Sequence, residues 1–138
     1  MPPNLLKHLK FYHTNFKFSY NNTLLQMDVH SCLQEMKNIQ KNIIFFIDND
    51  DNTEENFQNL NSIFNNMKIQ ENQHKLKLLL HFLATISSNH HRESNFFNKI
   101  EKIMQLFKTE MIKFFSNSTI FKIFKNNKRI LLFLLEEK

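Results

Sequence analysis

Asn89-His90-His91-Arg92-Glu93-Ser94-Asn95-Phe96-Phe97-Asn98-Lys99-Ile100-Glu101-Lys102-Ile103 decides the fold: a polar, histidine-bearing turn runs straight into an aromatic-rich segment. Phe96, Phe97, Ile100, Ile103, Met104 and Phe107 recur at three- and four-residue intervals, which places them along one face of a helix. Ser94 suits the capping position, because its hydroxyl can accept a hydrogen bond from a backbone amide left open in the first helical turn. The spacing predicts a core helix from Ser94 to Lys108.

The same period extends upstream. Val29, Cys32, Leu33, Met36, Ile39, Ile43, Phe46 and Ile47 trace an amphipathic helix over Asp28–Ile47, with Asp28 as cap and Lys37 and Lys41 outside. Cys32 falls on its apolar face and reads as a small buried hydrophobe. The acidic interval Asp48-Asn49-Asp50-Asp51-Asn52-Thr53-Glu54-Glu55 invites comparison with a calcium loop. The spacing fails that comparison, since Thr53 stands where such a loop needs Gly and Asn59 where it needs a bidentate acid. Asn52 and Glu55 instead predict a capping box for a helix over Thr53–Lys68 that buries Phe57, Leu60, Ile63, Phe64 and Met67. A third helix, Lys75–Ser87, carries Leu76, Leu79, Leu80, Leu83 and Ile86, widened by Leu78 and Phe82.

Downstream, Met111, Ile112, Phe114 and Phe115 form a short segment. Ser118 then reads as the cap of a helix containing Ile120, Phe121, Ile123 and Phe124. Asn126-Asn127 breaks the pattern before the final helix, Lys128-Arg129-Ile130-Leu131-Leu132-Phe133-Leu134-Leu135-Glu136-Glu137-Lys138. The expected class is therefore all-α, an irregular helical bundle or α-solenoid-like array of six or seven amphipathic helices. The predicted organisation is a basic, partly ordered arm over residues 1–26 followed by one helical domain over 27–138. The arm has no acidic side chain, which would suit a mitochondrial presequence, but it also lacks Arg and has little Ser.

Composition narrows the chemistry. The 138 residues include no Gly, which disfavours phosphate-cradling loops, dinucleotide fingerprints and nucleophile elbows, all of which need positions only Gly fits. Twenty Asn, with abundant Lys, Ile and Phe, form a bias that an AT-rich coding sequence produces by itself, so a formal charge of +5 is weak ground for a nucleic-acid partner. The single Cys cannot form an internal disulfide, and no apolar run reaches the length of a membrane span. The expectation is an intracellular, cytoplasmic protein. The two glycosylation-type triplets, at Asn21 and Asn117, read as chance in an Asn-rich chain.

No catalytic constellation emerges, and neither a cofactor nor a metal is expected. His74 and His81 lack a second ligand pair at four-residue spacing. His90, His91 and Arg92 stand beside a predicted helix N-terminus and are the candidates for contact with an anion or a partner, against the plainer reading that they join two helices. Lys122, Lys125, Lys128 and Arg129 form a candidate basic patch interleaved with Phe121 and Phe124. The final helix is apolar over six consecutive residues and needs a neighbour, which makes Ile130, Leu131, Phe133, Leu134 and Leu135 the candidate interaction surface.

Several phrases occur in a recognisable order: Asp50-Asp51-Asn52-Thr53-Glu54-Glu55-Asn56-Phe57-Gln58-Asn59-Leu60, Glu71-Asn72-Gln73-His74, Ser87-Ser88-Asn89-His90-His91-Arg92, Asn95 to Ile103, Phe115 to Phe121, and Lys128 to Lys138. Over about residues 28 to 138 the chain resembles the N-terminal helical region of an ankyrin-repeat protein family of parasitic protists of the trichomonad type. Residues 1–26 do not match. In that family the region precedes a variable array of ankyrin repeats, so the resemblance implies protein–protein binding, with no enzymatic activity or cofactor. The repeat signature Thr-Pro-Leu-His is not in this chain, and the last helix reads as the start of a truncated array. The expected function is a non-enzymatic interaction module that binds a protein partner through the C-terminal helix, self-association through that helix being one form of such binding. A basic nucleic-acid-binding domain is the alternative.

Overall fold

A computed structural model describes residues 29–88 and 94–136, with side chains from Gln34 to Ser88 and from Asn95 to Glu136. These residues are all-α: 85% are helical, in seven helices with no strand among them. The helices are α1 (Val29–Asp48), α2 (Thr53–Asn66), α3 (Gln73–Ser88), α4 (Ser94–Gln105), α5 (Lys108–Phe114), α6 (Asn117–Phe124) and α7 (Lys128–Leu135), with a 3-10 turn at Ile69–Glu71. The expected all-α class and the helix number agree with this architecture. The arm over residues 1–26, the Asp28 cap, the Cys32 side chain and the Ser94 hydroxyl lie outside what is described.

The chain separates into two units, one running through Phe82 and the other from Leu83, with the boundary inside α3. In the first unit α1 packs on α2. Met36, Ile39, Ile43, Ile44, Phe46 and Ile47 of α1 are buried, as are Phe57, Leu60 and Phe64 of α2. The Phe46 and Phe57 rings meet at a 5.7 Å centroid separation and a 47° tilt, a favoured aromatic arrangement. α1 stops at Asn49, whose backbone and side-chain amides both donate to the Phe45 carbonyl, at 3.1 and 2.8 Å.

The start of α2 differs from the expected capping box. Asn52 has φ 55° and ψ 39°, a left-handed conformation, and its side chain makes no capping bond. A capping Asn needs an extended backbone to aim its oxygen at the following amides. Here Thr53 Oγ1 donates to the Asp50 carbonyl and Asn56 Nδ2 to the Asp51 carbonyl, both at 3.0 Å. Glu54 and Glu55 do occupy the first turn, where negative charge is stabilised by the positive end of the helix dipole.

After α2 the chain reverses at Lys68, also left-handed at φ 53°. Gly is the usual residue at this position past a helix end, and a chain without Gly must place a side chain there at a cost of about 1–2 kcal/mol. Asn72 Oδ1 then accepts from the backbone amides of His74 and Lys75, so α3 begins two residues before the expected Lys75. Lys75 is buried. Its ammonium binds Glu35 Oε1 of α1 at 2.8 Å and donates to the Met67 carbonyl at 3.3 Å, tying α1 and the end of α2 to α3.

In the second unit α4 ends at Gln105 rather than Lys108. Leu106 and Phe107 donate to the carbonyls of Ile103 and Met104, a tightened turn that buries the Phe107 ring and starts α5 at Lys108. The cap of α6 is Ser116, whose hydroxyl accepts from the Thr119 amide at 3.2 Å; the expected cap, Ser118, lies inside the helix. The shift follows from Phe115, which leaves α5 in an extended conformation while its ring stays buried, so the next turn opens earlier. α7 packs against α6 and α4.

Candidate interaction surface on the C-terminal helix

Asn127 positions α7. Its side-chain oxygen accepts from the Ile130 amide at 3.2 Å, and its side chain is buried as the helix starts. From there Ile130 and Leu134, four residues apart and both fully buried, form the inward stripe of α7. Arg129 holds the helix from the side. Its Nε donates to Glu101 Oε2 at 2.9 Å, one terminal amine donates to Asn98 Oδ1 at 3.1 Å, and the guanidinium lies 5.1 Å from the centre of the Phe97 ring. All three partners lie on α4, so a single planar cation reads a carboxylate, an amide and an aromatic face together.

This geometry reassigns part of the expected surface. Ile130 and Leu134 belong to the core, while Leu131, Phe133 and Leu135 are half-buried. The residue facing outward is Leu132, 60% exposed, which is not among the five expected surface residues. The signal was present: at about 100° per residue, position 132 lies roughly opposite the stripe made by 130 and 134. An apolar side chain at every position from 130 to 135 hid the contrast.

Two grooves flank the end of α7. One, of about 600 Å3, is lined by Glu101, Arg129, Leu132, Phe133, Leu135 and Glu136. The other, of about 470 Å3, includes Gln105, Lys108, Thr109, Ile112 and Asn117, and meets the first along Leu135 and Glu136. Lys108 is buried beside Phe133, its ammonium 4.5 Å from the ring centre and without a hydrogen-bond partner among the described residues. Ile112, 51% exposed, adds apolar surface to the second groove.

The candidate basic patch comes only partly together. Lys122, Lys125 and Lys128 are exposed, but Arg129 is committed to Glu101 and cannot serve as a free phosphate contact. Of the interleaved rings, Phe124 is core and Phe121 is 49% exposed. His90, His91 and Arg92 lie outside the described residues. His74 is exposed and His81 half-buried, and among the described residues no three His, Cys, Asp or Glu side chains converge as a metal site would require. A polar hollow of about 350 Å3 near Glu35, Lys68, Glu71 and Lys75 is lined by charges of both signs, with Glu35 and Lys75 already paired. None of the helices described is long and apolar enough to cross a membrane.

Compared with models of protein families, with curated proteins and with solved structures, the chain matches none.

Proposed function

We propose that this chain is a non-enzymatic helical module for protein–protein interaction, the N-terminal helical region of an ankyrin-type protein, which docks partners on the outward side of α7. The observation that supports this reading is Leu132, 60% exposed at the middle of a helix whose start is fixed by Asn127 and Arg129. A large apolar side chain held in water on a short, anchored helix, between two grooves, is the arrangement of a contact surface. The ankyrin-type reading adds the kind of contact, a helical repeat that stacks on α7 and covers its outer side.

One experiment tests both elements. A consensus ankyrin-type repeat joined after Lys138 should raise the thermal midpoint of the helical signal relative to the unfused chain, and Leu132→Asp should remove the rise. In the unfused chain Leu132→Asp should change stability by no more than about 0.5 kcal/mol, as expected of an exposed position. Identical unfolding of fused and unfused chains would count against repeat stacking.

A further inference from the structure

We infer that the groove between α5 and the end of α7 binds a small amphipathic monocarboxylate, whose carboxylate pairs with the Lys108 ammonium. This site goes beyond the docking of a protein on α7 and does not depend on it, because Leu132 is not among the residues that line this groove.

Lys108 is 8% exposed, and its Nζ has no hydrogen-bond partner among the described residues. The face of the Phe133 ring, 4.5 Å away, is what offsets its charge. A ring replaces only part of the hydration that an ammonium gives up on burial, and a lysine this far from water is ordinarily paired with a carboxylate. Lys75 shows the ordinary arrangement in the same chain. It is equally buried, and its ammonium binds Glu35 Oε1 at 2.8 Å and the Met67 carbonyl at 3.3 Å. Lys108 has the burial of Lys75 with an aromatic face in place of those oxygens.

Lys108 also lines a groove of about 470 Å3, within the size range of small-ligand sites. The walls of that groove divide by polarity. Gln105, Thr109 and Asn117 are exposed there and supply amide and hydroxyl donors suited to carboxylate oxygens. Ile112, one helical turn beyond Lys108, and Leu134 and Leu135 of α7 supply an apolar wall for a short hydrocarbon.

The two halves of the wall define the ligand. Lysine carries its charge on a flexible four-carbon stem, so the ammonium can turn from the Phe133 ring to a carboxylate in the groove. That turn exchanges a partial electrostatic offset for a charge-assisted hydrogen bond. One cation matches one negative charge. Glu136 lies on the same groove, and its carboxylate repels a dianion such as inorganic phosphate about twice as strongly as a monoanion. The leucines and Ile112 favour a hydrocarbon body over a polyhydroxylated one.

Isothermal titration calorimetry of the full chain with octanoate, kept below its micellar concentration, tests the site. The wild type should bind octanoate with a Kd of roughly 0.1 to 1 mM, as expected of a ligand of about ten heavy atoms. Binding should be about tenfold or more tighter than for 1-octanol or inorganic phosphate. Lys108→Met keeps an unbranched side chain and removes the charge; it should weaken octanoate about tenfold or more and leave 1-octanol unchanged. Ile112→Asp, at a position 51% exposed, should weaken octanoate by a similar factor without disturbing the core, while Leu132→Asp should leave it unchanged. Circular dichroism verifies the fold of each variant. A wild type that does not bind octanoate, equal binding of octanoate and 1-octanol, or octanoate binding unaltered in Lys108→Met would each overturn the assignment. Should Lys108→Met fail to fold, unaltered octanoate binding in Ile112→Asp would overturn it instead.

Discussion

Gln40 lies on the buried side of α1 with no exposed surface, and neither its amide nitrogen nor its oxygen has a hydrogen-bond partner among the described residues. A buried amide that has given up water without a replacement costs about 1–3 kcal/mol. Gln40→Leu keeps the side-chain size similar, suits a helix interior and removes both polar atoms. The substitution should therefore stabilise the protein by about 1–3 kcal/mol, raising the thermal midpoint by roughly 3–10 °C for a chain of this length. Urea denaturation followed by circular dichroism would measure the free energy, and a thermal scan the midpoint. Gln40→Glu provides an internal check of the sign. Burial raises the folded-state pKa of a carboxyl above its unfolded value, so the folded state binds more protons between the two values. Stability of that variant should fall as pH rises above about 4.3, the unfolded value for glutamate. Loss of more than 1 kcal/mol in Gln40→Leu would refute the reasoning and show that the native amide is satisfied.

Three further outcomes follow from local geometry. Asn127→Ala removes the bond that caps α7 and should cost about 1 kcal/mol in urea denaturation, while loosening the helix that presents Leu132. Lys68→Gly relieves the left-handed backbone past α2, about 1–2 kcal/mol, against about 0.5–1 kcal/mol of added chain entropy in the unfolded state; a modest net stabilisation should appear in the same assay, and a loss would show that the Lys68 side chain contributes more than its strain. His81 is half-buried, and its pKa is lowered from the usual 6.5, first by loss of solvation and then by the charge of Lys77. The unfolded chain thus takes up a proton more readily than the folded one, so the stability linked to His81 is present above pH 6.5 and declines as pH falls below it. Titration of stability from pH 8 to 5 in wild type and His81→Gln should show a shallower acid-side decline in the variant.

The helices themselves were legible because their signals are local. Apolar residues at three- and four-residue intervals marked seven segments, and Asn-containing breaks separated several of them. Caps were less legible. Asn52, Ser116 and Ser118 are all chemically able to cap, and only the backbone dihedrals select among them: left-handed at Asn52, extended at Ser116 and helical at Ser118. Sequence alone likewise showed that the last helix must meet a neighbour, since Ile130 to Leu135 is unbroken apolar surface.

Which side of that helix faces inward was a tertiary decision. An all-apolar run has no preferred face of its own, and the orientation is set by Arg129 reaching Glu101, 28 positions earlier, and by Ile130 and Leu134 filling the core. The pairing of Lys75 with Glu35 and the burial of Gln40 and Lys108 belong to the same category. Periodicity is a property of neighbouring residues and survives in the sequence. The partner of a charge, and the burial of a polar side chain, depend on segments far apart in the chain, and exist only once those segments have packed.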